Sequence, residues 1–308
     1  MTTKRLFRQE HPILTGCLLL GLLMVAFWGG ITFFVGSLFR PAKGSSLLHE
    51  EGIGVVELTG VIVSADDIIA QLTDFREQKG IKAIVLRIDS PGGAVGASQE
   101  IYEEVKRTNA VKPVVASMGS VAASGGLYAA LGAGKIVANP GTLTGSMGVI
   151  LKFANLEGLF DKIGYKSEVV KSGRLKDIGS PSRPLTEEER AMLQAMIDNV
   201  HDQFIKAVAE SRKLPEAAVR AIADGRVFSG AQAKELKLID QFGNLNDAVL
   251  LAARLAGLDT KTMPKLIYPE KHDFSLLSLL AGESGQSLLN KTHWQTPHLA
   301  YEWVVSPL

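Results

Sequence analysis

From Pro12 to Phe39 the chain runs for 28 residues without a charged side chain. This run limits the possible architectures more than any other stretch. It exceeds the ~20 residues that cross a bilayer and is roughly twice a signal-peptide core of about 7–15. It therefore reads as a retained anchor, the alternative being cleavage near Gly36-Ser37. Lys4, Arg5 and Arg8 precede it, and Arg40 and Lys43 follow it. That bias leans toward a cytoplasmic N-terminus, with the bulk of the chain outside the cytoplasm. The organisation expected is a cytoplasmic N-terminus (1–11), a transmembrane anchor (12–39), a linker (40–50), one large domain (51–260) and a C-terminal extension (261–308) without an assigned role. From Gly282 onward the chain turns polar and irregular and carries no structural expectation.

The large domain alternates between two periodicities. Residues 53–63 suggest a strand, or a hairpin about Gly60. Ile68, Ile69, Leu72 and Phe75 fall at helical spacing, residues 82–88 form an apolar strand, and 96–107 are again helical. Further strands are expected at 114–118, 135–138 and 165–170, and a Gly-punctuated apolar segment at 142–151. Thr186 and Glu189 form a capping box ahead of a helix with the stripe Leu193, Met196, Ile197, Val200, Phe204 and Val208. Strands alternating with helices imply an α/β fold with right-handed crossovers and a buried sheet. At 308 residues, 46% hydrophobic, the chain can bury a sizeable core.

Several chemistries are set aside by composition. A net charge of +1 gives no case for nucleic acid. The lone cysteine, Cys17, allows no intrachain disulfide or cysteine metal site. There is no HExxH helix, Walker loop or GxGxxG turn, so neither metal nor cofactor is expected. All six histidines lie outside residues 50–200, which hold the Gly-rich turns, so a Ser-His-Asp triad has no obvious base. His201, beside the apolar stripe, reads as a structural or surface residue.

What remains centres on Pro113–Gly126. An apolar run breaks at Gly119-Ser120 and restarts in small residues, placing Ser124 near a helix start. Its hydroxyl is open to a substrate backbone, and the Gly125 amide beside it is an oxyanion donor. The plainer reading is a small residue at a crowded helix start. Pro91-Gly92-Gly93, after a strand, either presents amides or is a simple tight turn. A lysine can replace histidine as base only when neutral, which requires burial or a neighbouring positive charge. Lys171 and Lys176 both lie in the polar loop 171–181, and the residues alone do not choose between them.

Four motifs in order, DSPGG (89–93), SMGSVAASGG (117–126), TGSMGVI (144–150) and KSGRLKDIGSP (171–181), resemble the short form of bacterial signal peptide peptidase A, a family of membrane-anchored serine proteases. The resemblance covers residues 50–260 and the preceding anchor. It implies a Clp protease/crotonase-like fold of repeated ββα units. It places the nucleophile on Ser124, the general base on Lys176, the oxyanion amides on Gly93 and Gly125, and a lysine-orienting role on Ser146. It also implies a homo-oligomeric ring, with an octamer as one form, whose sites are shared between protomers. The substrates implied are apolar remnant signal peptides at the cytoplasmic membrane. The competing readings are a crotonase-like acyl-CoA enzyme, an inactive membrane scaffold of the same fold, and a membrane protease acting on stomatin-like proteins.

Overall fold

A computed structural model describes residues 20–32, 51–269 and 300–302. The chain divides after His49 into two units. In the first, residues 20–32 form a helix with Leu20, Leu22, Leu23, Val25, Phe27 and Trp28 exposed. The rest of the expected anchor over 12–39, and the linker 40–50, lie outside the described residues. Among the described residues no helix is long and apolar enough to cross a membrane.

The second unit is built on a mixed sheet. Strand β1 (Gly52–Thr59) leads through helix α1 (Asp66–Glu77) to β2 (Ile81–Ser90). A short β3 (Gly92–Ala94) feeds α2 (Val95–Asn109), and β4 (Val114–Ala123) runs directly into α3 (Gly125–Ala130). β5 (Lys135–Ala138), β6 (Leu143–Gly145), α4 (Glu157–Ile163), α5 (Glu187–Arg212), α6 (Glu216–Arg220), β7 (Val227–Ser229) and α7 (Gly230–Glu235) follow. β8 (Gln241–Phe242), α8 (Leu245–Leu255), β9 (Lys265–Ile267) and β10 (Ala300–Glu302) complete the order. The sheet runs β7-β6-β4-β2-β1-β9, with β5 on β4 and β8 on β5. Every pair within it is parallel except β6 with β7.

Burial on both faces explains the continuous apolar runs of the central strands. The alternation of side chains sorts them into two layers. Ala83, Val85, Val115 and Val137 pack against Ala248, Val249, Ala252 and Ala253 of α8. Their neighbours Ile84, Leu86, Val114, Ala116 and Ile136 face the opposite layer, with Leu72 and Phe75 of α1, Ile101 and Val105 of α2, and Phe204 of α5.

Three expectations are corrected. There is no hairpin about Gly60, because the chain after it bonds β3 instead of folding back on β1: Ile62 N donates to Gly92 O and Ile62 O accepts from Ala94 N. Gly60, at φ 71°, turns the chain, and Ile62 then makes a single parallel bridge to Gly93. Residues 165–170 form no strand; Tyr165, Val169 and Val170 are exposed and pair with no sheet edge among the described residues. The expected break at Gly119-Ser120 is a bulge inside one strand. Ile88 pairs with Met118 but Ser90 with Ala122, so two steps along β2 match four along β4. The first half of β4 pairs with β5, the second with β6.

Leu86 is fully buried in the central strand. Leu86→Ala should lower unfolding free energy by about 2–5 kcal/mol, measured by denaturant titration with an unchanged slope. A loss below ~1 kcal/mol would show that this layer is not close-packed.

Candidate active site

The bulge in β4 aims the strand end. Two side chains hold the diverted backbone: the Asp89 carboxylate accepts from Val121 N at 3.0 Å, and Thr142 Oγ1 donates to Gly119 O at 2.8 Å. Beyond it, Ser124 takes φ 54°, ψ −115°, a region that costs a non-glycine residue of order 1–3 kcal/mol. The surrounding bonds fix this conformation. Ser124 N donates to Gly145 O at 2.8 Å, and Ser124 O accepts from Tyr128 N at 2.9 Å.

The hydroxyl itself is uncommitted. Ser124 is 1% exposed, its side chain makes no helix-capping bond, and Oγ has no hydrogen-bond partner among the described residues. The oxygen of a serine that merely starts a helix accepts a hydrogen bond from a backbone N–H of that helix; Ser124 Oγ does not. A buried, unpaired hydroxyl at a strained backbone position is a disfavoured arrangement in structural terms and a useful one for a nucleophile.

The two glycine amides converge beside it. A Cβ placed on Gly125 would lie 3.2 Å from Gly93 N and 2.4 Å from Ser98 Oγ, so only a residue without a side chain admits this approach. Gly92, at φ 100°, makes the turn and donates its N–H to Ser90 Oγ at 3.1 Å. Gly92 O and Ala94 N are both bonded to Ile62. The alternation of the backbone therefore turns the Gly93 amide to the opposite edge, where Tyr301 of β10 lies across from it. Ser146 stands next to Ser124: Ala123 pairs with Gly145 across β4 and β6, and the residue after each has positive φ.

Neither lysine is hydrogen-bonded to Ser124 Oγ. Lys171 is ion-paired with Asp177. Lys176 sits in the 172–179 turns, with its backbone amide on Gly173 O at 3.0 Å and its side chain exposed. A latch holds this loop. Arg183 bridges Asp177 and Glu189, at 2.6 and 2.8 Å to the two Glu189 oxygens. Glu189 also completes the expected capping box with Thr186. His201 is half-buried, and its Nε2 has no partner among the described residues. It makes no bond to Ser124. Sequence reasoning missed Asp89, Thr142 and Ser90, which shape the strand ends. It also gave no structural role to Tyr301, whose strand lies opposite Gly93.

The domain that carries these residues matches known protease families. The model of peptidase family S49 matches residues 106–259, and that of Clp protease matches residues 45–142. A Synechocystis protein described as a protease is 48% identical over 208 residues, which is 67% of this chain and 75% of that protein. The chloroplastic serine protease SPPA of Arabidopsis thaliana is 36% identical over 230 residues, 74% of this chain and 34% of its own length. An Enterococcus faecium protein bearing the name signal peptide peptidase SppA is 38% identical over 182 residues, 59% of this chain and 53% of its own. The match thus spans three-quarters of the first relative and about a third to a half of the other two. The mixed α/β sheet is that of the Clp protease fold.

The latch should respond to acid. Hydrogen bonds from Arg183, then from Lys171, push the Asp177 carboxyl down to about 2; Arg183, then the Thr186 amide, push Glu189 down to about 2. Both folded values lie below the unfolded ones of about 4, so the latch contributes fully above that range and is lost as pH falls from ~4 toward 2. Hydrogen exchange corrected for intrinsic rates should show residues 171–189 losing protection between pH 5 and 2.5 before the β2 amides do. Equal protection at both pH values would contradict it.

Proposed function

The chain belongs to peptidase family S49, the serine protease family of signal peptide peptidase A, and from that premise we propose that it is a membrane-anchored endopeptidase using Ser124 as nucleophile and Lys176 as general base. The observation that carries this reading is the unpartnered, buried Ser124 hydroxyl beside the converging Gly93 and Gly125 amides. Ser124 Oγ attacks a peptide carbonyl, whose oxygen takes up charge between the two amides. The lysine accepts the serine proton and returns it to the leaving nitrogen; water then hydrolyses the acyl-enzyme. Ser146, adjacent to Ser124, orients the lysine.

The base comes from a neighbouring copy in this account. Within one chain Lys176 is exposed and Ser124 Oγ unpaired, whereas a lysine base needs a shielded setting. Exposed apolar side chains support an interface there. Leu159, Ile163, Tyr165, Val169 and Val170 project from the segment preceding Lys176, and Met192 and Met196 from the start of α5. Covering them in a homo-oligomeric ring would bury this surface and seat the lysine arm in the next protomer's site.

The substrates proposed are remnant signal peptides. The anchor expected over 12–39 would confine enzyme and membrane-borne peptide to one surface, raising their effective concentration. The protease domain would then lie on the extracytoplasmic side of a bacterial cytoplasmic membrane.

Ser124→Ala and Lys176→Ala should each lower kcat/KM on a soluble peptide by ~10³-fold or more with folding unchanged. Lys171→Ala should stay within several-fold, because Arg183 still holds Asp177. Mixing Ser124→Ala with Lys176→Ala protomers should restore part of the activity, since some interfaces then pair an intact serine with an intact lysine. Mixed oligomers without any rescue would place the base within one chain, and an inactive Lys171→Ala beside an active Lys176→Ala would move the base to Lys171.

A further inference from the structure

The segment that carries the lysines has little packing to hold it. From Gly148 to Glu188 no residue is buried, and Lys176 itself is exposed. A general base nevertheless has to be placed closely, since a misplacement of about 1 Å costs ~10²-fold in rate. The loop is held instead by Arg183, whose five N–H groups find five acceptors. Nε donates to Asp177 Oδ2 at 3.2 Å, and Nη1 to Pro184 O at 3.0 Å and Glu189 Oε2 at 2.8 Å. Nη2 donates to Glu189 Oε1 at 2.6 Å and Asp177 O at 3.4 Å. That is the full donor capacity of a guanidinium.

These bonds connect the loop to the core. Glu189 is 2% exposed and completes the cap of α5, and the same helix buries Phe204 and Val208 completely. At the other end, Asp177 directly follows Lys176. Its carboxylate takes Arg183 and Lys171, and its carbonyl accepts from Ser180 N at 3.1 Å as well as from Arg183. On the preceding side, Lys176 N donates to Gly173 O at 3.0 Å. The backbone of Lys176 is thus tied on both sides, and its side chain starts from a fixed point. Charge adds a second constraint. Lys171, Asp177, Arg183 and Glu189 together are neutral, whereas without Arg183 the group beside Lys176 would be negative. Of the other charged side chains nearby, Arg174 pairs with Glu188, and Arg190 lines a cavity of about 200 Å³ that Arg183 shares with Phe153. A free carboxylate next to a lysine favours the ammonium, which cannot accept a serine proton.

We propose that Arg183 is a positioning residue for the general base: it fixes the backbone carrying Lys176 to α5 through Glu189, and it holds the Asp177 carboxylate so that this anion does not retain the lysine's proton. The inference rests on the reading of Lys176 as base. It goes further in assigning a role in the reaction to Arg183, which does not touch the reacting atoms, and in naming Asp177 as the group whose charge has to be occupied. The arginine is suited to both tasks because its planar fork reaches two carboxylates and a carbonyl at once, which the single ammonium of a lysine cannot do.

Peptide hydrolysis by the full chain and its variants, followed from about pH 5 to 10, tests this. Asp177 and Glu189 are both held down to about 2, so the latch is formed throughout that range. Arg183→Lys keeps a positive charge against buried Glu189 but releases Asp177. It should lower kcat by about tenfold or more with KM within about threefold. The rising limb of kcat/KM should move to higher pH by about half a unit or more. Adding Asp177→Asn to Arg183→Lys should return the limb to its wild-type position. Asp177→Asn alone leaves the Arg183–Glu189 pair intact and should move the limb to lower pH, which decides the matter even where Arg183→Lys does not fold. An unchanged kcat in Arg183→Lys, or a loss of kcat with the limb unmoved, overturns the positioning role. So does an upward shift that Asp177→Asn leaves in place, or an Asp177→Asn limb that does not fall. Those results leave the base assignment standing, whereas full activity in Lys176→Ala overturns the base assignment itself.

Discussion

One diverted stretch of backbone controls the rest of the site. Between Met118 and Ala122 strand β4 leaves its register with β2, and the Asp89 carboxylate and the Thr142 hydroxyl take over the bonds that the ladder can no longer make. An unmade backbone bond in a buried strand is costly, so these two side chains make the detour tolerable. The detour has three consequences. It lets β4 exchange β5 for β6 as its neighbour, it brings Ser124 level with Ser146, and it directs the strand into α3 at an angle that only a positive φ at Ser124 can satisfy.

The parts of this arrangement that were legible in the sequence are local. Continuous apolar runs mark β2 and β5, because strands buried on both faces must be apolar nearly throughout. Thr186 and Glu189 announced the start of α5, and that capping box is present. The stripe along α5 was only partly right in its consequence: Leu193, Phe204 and Val208 are buried, but Met196 is exposed in a single chain. What could not be read depends on distant partners. Nothing near Gly60 says that Ile62 will bond the β3 backbone, and nothing in Ala300–Glu302 says that Gly93 is there to pair with. Gly119-Ser120 looked like the end of a strand because a bulge and a terminus share the same residues; Asp89 and Thr142, far away in sequence, decide between them.

The site divides between rigid and latched parts. Ser124, Gly93 and Gly125 sit on sheet ends and a helix start, enclosed by core. The loop bearing Lys171 and Lys176 is instead held by charge, through Arg183, Asp177 and Glu189. Such a latch fixes a loop's shape without burying it. Tyr301 belongs to the rigid part, since its ring packs with those of Tyr128 and Phe204.

The central claim is that the unpartnered Ser124 hydroxyl is the reacting nucleophile. Covalent labelling of the folded chain with a fluorophosphonate, followed by peptide mapping, tests it most directly. The account predicts a single adduct on Ser124, formed in the folded protein and lost on denaturation before labelling. A chain that hydrolyses peptides while the adduct appears on another residue would contradict it.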